Sequence, residues 1–197
     1  MDPLLRSARR LARIGIWFGG SLVILAAFVI TFDVLIRKLF DLSIGGASEL
    51  AGYVLAISTA WSLALTLLDR AHIRIDTVYV LLPTRLCAVL DVLALLGFVV
   101  FAGFITVQGY GVLMQSVQLN SHSLTPLATP LVIPQFLWFT GLAFFLLVAT
   151  LLFLRAAIAL VTGDLETVRL LASSGTAVEE LEQNIDAARK FEKLGGA

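Results

Sequence analysis

The chain has 197 residues, 59% of them hydrophobic, and a mean hydropathy of +0.96. Soluble domains use roughly 45–50% apolar residues, so an ordinary water-soluble domain is excluded and a membrane protein indicated. Lys plus Arg and Asp plus Glu both number 14, so net charge gives no sign of a nucleic-acid or acidic partner, and only the distribution of charge informs.

Residues 1–13 carry Arg6, Arg9, Arg10 and Arg13 against one acid, Asp2, the pattern of a cytoplasmic flank. The apolar run that follows, 14–36, is about 34 Å long as a helix, enough to cross a hydrocarbon core of ~30 Å. A secretory h-region is only about 7–15 residues and ends in a small-residue cleavage site, so this run is read as an uncleaved first span. Gly15 and Gly19 form a GxxxG near its start. Asp33, Arg37 and Asp41 recur at four-residue spacing on one face, where they can pair. Two readings stand for them: interfacial anchors that snorkel, or a contact in which Arg37 meets Glu49 across the short link through Gly45 and Gly46.

The second span, 49–68, opens on Glu49 and places Gly52, Ala56, Ala60 and Ala64 at four-residue intervals. Such a ridge of small side chains lets another helix approach closely. Ser58, Ser62 and Thr66 add hydroxyls that can bond a neighbouring helix or their own i−4 carbonyls. The span ends at Asp69, where charge and apolar side chain alternate through Arg70, His72, Arg74 and Asp76. Residues 77–82 are too few to cross a bilayer and are expected as a short interfacial helix, set off by Pro83.

The third span runs over 84–115. The lone cysteine, Cys87, excludes an internal disulfide, and its apolar neighbours suit an inert packing role. Asp91 lies about two turns, or ~10 Å, into this span. An intramembrane acid is a functional candidate by default, yet Arg70, Arg74 or Arg85 could reach that depth, so a structural ion pair and an ion-coupling role both stand. Residues 113–133 contain Pro126 and Pro130 among Asn120, Ser121, His122, Ser123 and Thr125, with no Lys or Arg, and are read as the longest external loop. The fourth span is 134–154, closed by Arg155.

The fold expected is an all-α membrane protein of four transmembrane helices. Its parts are a basic N-terminus (1–13), a membrane domain (14–155) and a tail (156–197) with a helix over 177–194, where Thr176 and Glu179 form a capping box. Arg6, Arg9, Arg10, Arg13, Arg70, Arg74, Arg85 and Arg155 fall on one side and only Arg37 and Lys38 on the other, which puts both termini in the cytoplasm. Tyr53, Tyr110 and Trp138 then lie at the outer interface and Trp17 and Tyr79 at the inner one. His72 and His122 fall on opposite membrane faces, so they cannot share a metal or a haem. No nucleophile-and-base pairing, phosphate loop, CxxC or HExxH occurs, and no enzymatic activity or cofactor is expected.

The run from Phe32 to Lys38, the Glu49-Leu50-Ala51-Gly52-Tyr53 segment, and above all Ala71-His72-Ile73-Arg74-Ile75-Asp76 directly after the second span resemble the small membrane subunit of TRAP transporters, the DctQ-like family. The resemblance covers roughly Ile14 to Leu154. It implies a bacterial inner-membrane scaffold, embedded in lipid, that braces a large membrane subunit. That large subunit would carry the substrate and sodium sites, and a periplasmic binding protein would deliver an organic acid. The candidates for the subunit interface or a structural polar network are Arg37, Glu49, Gly52, Tyr53, Ala56, Ala60, Arg70, His72, Arg74, Asp76 and Asp91; the resemblance favours the Arg37–Glu49 contact and a network of His72 with Arg74 and Asp76. Two other readings compete: a self-sufficient homo-oligomeric transporter or channel with Asp91 or Glu49 as its coupling acid, and a membrane anchor for a soluble enzyme.

Overall fold

The structure, a computed structural model, describes residues 3–43, 45–69, 82–164 and 168. Among the described residues four α-helices follow in order: α1 (Pro3–Phe40), α2 (Ala47–Leu68), α3 (Thr84–Gln118) and α4 (Val132–Thr162). All four are long and apolar enough to cross a membrane. Among the described residues there is no strand, only one isolated bridge between His122 and Pro130. The expected short helix at 77–82, the charged connection with Arg70, His72, Arg74 and Asp76, and the expected helix at 177–194 lie outside the described residues, apart from Leu82.

Local chemistry explains the helix ends. Arg37 and Lys38 close α1, where cations suit the helix dipole, and Glu49 sits in the first turn of α2, where an anion does. Pro134 falls in the first turn of α4, where its missing N–H deprives the helix of nothing. At the other end of α4 Gly163 adopts φ +78°. Its N–H bonds Leu160 O at 3.2 Å, and Asp164 N–H bonds Ala159 O at 2.9 Å. These paired bonds satisfy the last carbonyls in a Schellman motif, for which glycine is the favoured residue.

The chain forms two compact units, Met1–Leu65 with Phe98–Thr150, and Thr66–Gly97 with Leu151–Ala197. In the first, Trp61 of α2 is the central joint. Its indole N–H donates to Leu137 O of α4 at 3.1 Å, and its ring lies 5.9 Å from that of Phe144. A Cβ built on Gly15 would fall 2.7 Å from Trp61 Cε3, and one on Gly141 2.9 Å from Ala60 Cβ, so both glycines permit close contact with α2. Gly19 is the same case: a Cβ there would lie 3.1 Å from Ser58 Cα, and Ser58 Oγ donates to Gly19 O at 3.0 Å. The GxxxG read from the sequence is therefore the face of α1 that meets α2. Between α3 and α4, Gly109 admits Trp138, and Tyr110 faces Phe139 at 5.9 Å.

In the second unit, Ala88, Ala159 and Val168 form a buried cluster with Val92 and Leu160 against it. Asp91 of this unit is 1% exposed. Cys87 is buried, as its apolar neighbours implied. Elsewhere large apolar side chains such as Trp17, Phe28, Phe101, Phe104 and Val107 stand exposed. In water such patches are liabilities; on helices of spanning length they are the faces that lipid or another membrane protein covers.

Candidate functional site

The polar residues of the first unit gather where α2 begins. The loop between α3 and α4, 119–131, folds over that end of α2 and is tied down by Glu49. Glu49 Oε2 accepts from Ser123 Oγ at 2.9 Å and also from Thr125 Oγ1, while Oε1 accepts from Tyr53 Oη at 2.7 Å, one turn along the helix. Ser123 Oγ and Thr125 Oγ1 are themselves 2.8 Å apart, and Thr125 N–H donates to Ser123 Oγ at 3.2 Å. A carboxylate accepts several bonds at once, so one side chain can hold two loop residues and a helix residue together.

Backbone bonds reinforce the clasp. Ser123 N–H donates to Thr129 O and Ala128 N–H to Thr125 O, both at 3.0 Å, and Leu131 N–H closes on Ser121 O at 3.0 Å. Ala128 takes φ +44°, a conformation costly for a residue with a Cβ and retained where the surroundings enforce it. Below the loop, a Cβ on Gly45, whose φ is +73°, would meet Pro126 at 3.2 Å, and one on Gly46 would push the Leu127 side chain aside, so the two glycines let the α1–α2 link lie close under the loop.

A second polar group caps the end of α1. Asp33, 2% exposed, bonds Arg37 Nη2 at 2.5 Å and accepts from Ser43 Oγ at 3.1 Å. Arg37 is thus paired with Asp33 and not with Glu49, the contact envisaged as one of two possibilities. The reason is local: Asp33 lies one helical turn away, while Glu49 is committed to the loop. Asp33 to Arg37 was the other pairing legible in the four-residue spacing.

The small-residue ridge of α2 divides in two. Ala60 and Ala64 are buried inside the first unit, whereas Gly52 and Ala56 are exposed, and a Cβ on Gly52 would meet nothing within 4 Å. Ala56 and Tyr53 line a cleft with Leu131, Pro134, Gln135 and Trp138. Arg70, His72, Arg74 and Asp76 lie outside the described residues, and Asp91 belongs to the second unit.

Sequence reading passed over Ser123 and Thr125 as partners of Glu49, and Trp61 as a joint. The available signal was a run of hydroxyl residues in a loop without Lys or Arg; nothing in it names the acid that the hydroxyls meet. Among the described residues no group of three or more His, Cys, Asp or Glu is placed to hold a metal.

No curated protein matches the chain. A family model does: residues 26–171 match the one described as "Tripartite ATP-independent periplasmic transporters, DctQ component".

Proposed function

Because the chain belongs to the DctQ component family of tripartite ATP-independent periplasmic transporters, and so is the small membrane component of such a transporter, we propose that it is a static scaffold. It braces a large membrane subunit that moves the solute, in a sodium-coupled system that imports an organic acid delivered by a periplasmic binding protein. The observation that carries this reading is the use made of Glu49. An acid at the mouth of a span could bind a cation or a substrate, but this one spends both oxygens on Tyr53, Ser123 and Thr125 of its own chain. Asp33 is likewise engaged with Arg37 and Ser43, and Asp91 is buried. These groups hold the protein's shape.

The exposed half of the α2 ridge, Gly52 and Ala56 with the cleft beside Tyr53, is the surface offered to the large subunit. Close approach of helices over small residues gains dispersion contacts that lipid tails match poorly. The excess of arginine on one side supports a cytoplasmic position for both termini and a periplasmic one for the clasped loop, in the inner membrane. The domain plan follows: a basic cytoplasmic N-terminus, a four-span body, and a cytoplasmic tail.

The test is reconstitution in vesicles. The small chain alone is expected to give no solute uptake, and uptake should appear only with the large subunit and the binding protein together, driven by an inward sodium gradient. Robust uptake by the small chain alone would overturn the scaffold reading in favour of a homo-oligomeric carrier.

A further inference from the structure

Leu124 stands out among the large apolar side chains of the described residues. It is 105% exposed, as open as in an extended chain. Its place in the loop is fixed from both sides, because Ser123 and Thr125, its immediate neighbours, both donate to Glu49. The turn behind it is closed by the Ser123–Thr129 and Thr125–Ala128 backbone bonds and by the His122–Pro130 bridge. The clasp therefore prevents the leucine from folding back onto its own chain. An isolated exposed leucine is ordinary on a flexible loop, but here a carboxylate, two hydroxyls and a strained alanine hold it outward.

That arrangement suits an anchor for a partner. Ordering a mobile loop on binding costs free energy, and a loop already rigid avoids that cost. Anchors in protein interfaces are apolar side chains that fill a pocket on the other surface. The surroundings indicate where the partner sits. Leu124 lies between Ser123 and Thr125, with Asn120, Ser121, His122 and Thr129 in the same loop, and Glu49 below it marks the end of the apolar run of α2. This setting favours water and a soluble surface over acyl chains as what Leu124 faces. Between Asp91 and Arg155 the sequence has no Asp, Glu, Lys or Arg, so recognition at this loop does not run through ion pairs.

We infer that Leu124 is a preorganised anchor that seats in an apolar socket on the soluble binding protein, with Glu49 as the positioning residue that holds it out. The inference rests on the function proposed above, which supplies a soluble component on that side of the membrane.

The experiment uses the complete small-and-large subunit complex in vesicles, with uptake measured against rising concentrations of its solute-loaded binding protein. Leu124→Asp is expected to raise the half-saturating concentration of binding protein by about tenfold or more, with the maximal rate and co-purification of the two membrane subunits unchanged. Glu49→Ala should shift it in the same direction, and Glu49→Gln, which keeps an acceptor oxygen, should restore part of the loss. A purely structural role for Glu49 would instead lower the maximal rate. An environment-sensitive dye on L124C, in a Cys87→Ser background, should report an apolar environment only after binding protein is added.

If the wild-type complex saturates with binding protein but Leu124→Asp leaves the half-saturation point unmoved, this inference fails and the scaffold reading stands. An apolar dye signal from vesicles before binding protein is added also overturns it, since the tip would then lie in lipid or against the large subunit. If wild-type uptake shows no dependence on binding protein at all, the functional reading itself falls.

Discussion

Glu49 and Gly19 illustrate how single positions set contacts that composition does not disclose. Glu49 acts through valence: one carboxylate gathers three hydroxyls from two elements. Gly19 acts through absence of a side chain, letting α1 approach α2 until Ser58 Oγ reaches its carbonyl at 3.0 Å. Gly19→Val would press methyl groups toward Ser58 Cα, which a Cβ alone already approaches to 3.1 Å. Overpacking of this kind costs roughly 1–3 kcal/mol, read as a lower thermal-unfolding midpoint in detergent. Gly20→Val is the matched control, because a Cβ there meets nothing within 4 Å; its midpoint should match wild type. Equal losses from both variants would show that the α1–α2 seam is not the cause. Both glycines are visible in the sequence, but which of them faces α2 is not. That depends on the rotation of α1 about its axis, fixed by packing against Trp61 and Ser58.

At the scale of the element, α2 carries one ridge in two settings. Its C-terminal half is spent inside the chain, where Ala60 packs against Gly141. Its N-terminal half, Gly52 and Ala56, remains open beside the cleft. Ala56→Trp should therefore leave the small subunit's own unfolding midpoint near wild type and reduce its co-purification with the large subunit. Ala60→Leu should do the reverse first, lowering the midpoint by way of the collision with α4. If Ala56→Trp co-purifies at wild-type yield, the docking surface lies elsewhere. The four-residue spacing of the ridge was legible as a packing face. Its division between a buried and an exposed half was not, since all four residues are small and only the position of α4 distinguishes them.

For the whole molecule, the scaffold reading makes its sharpest demand at Asp91. This acid is buried in the second unit, where an ionisable side chain must be either a structural element or a functional one. Asp91→Asn in the complete transporter should retain most of the uptake rate; loss of uptake with the complex still assembled would make Asp91 an ion-coupling residue and return the chain to the class of carriers. What the sequence determined alone is the number and order of the four helices and their apolar character. Each follows from local terms, since a helix closes its backbone hydrogen bonds within one segment and a span of about 20 apolar residues is long enough for lipid. The tertiary structure alone decided which hydroxyls meet Glu49, which acid takes Arg37, and which half of the α2 ridge is covered. The reason is distance along the chain. Thr125 is 76 residues from Glu49, and Ser58 is 39 from Gly19, and no periodicity within one helix specifies the rotation and register at which it meets another.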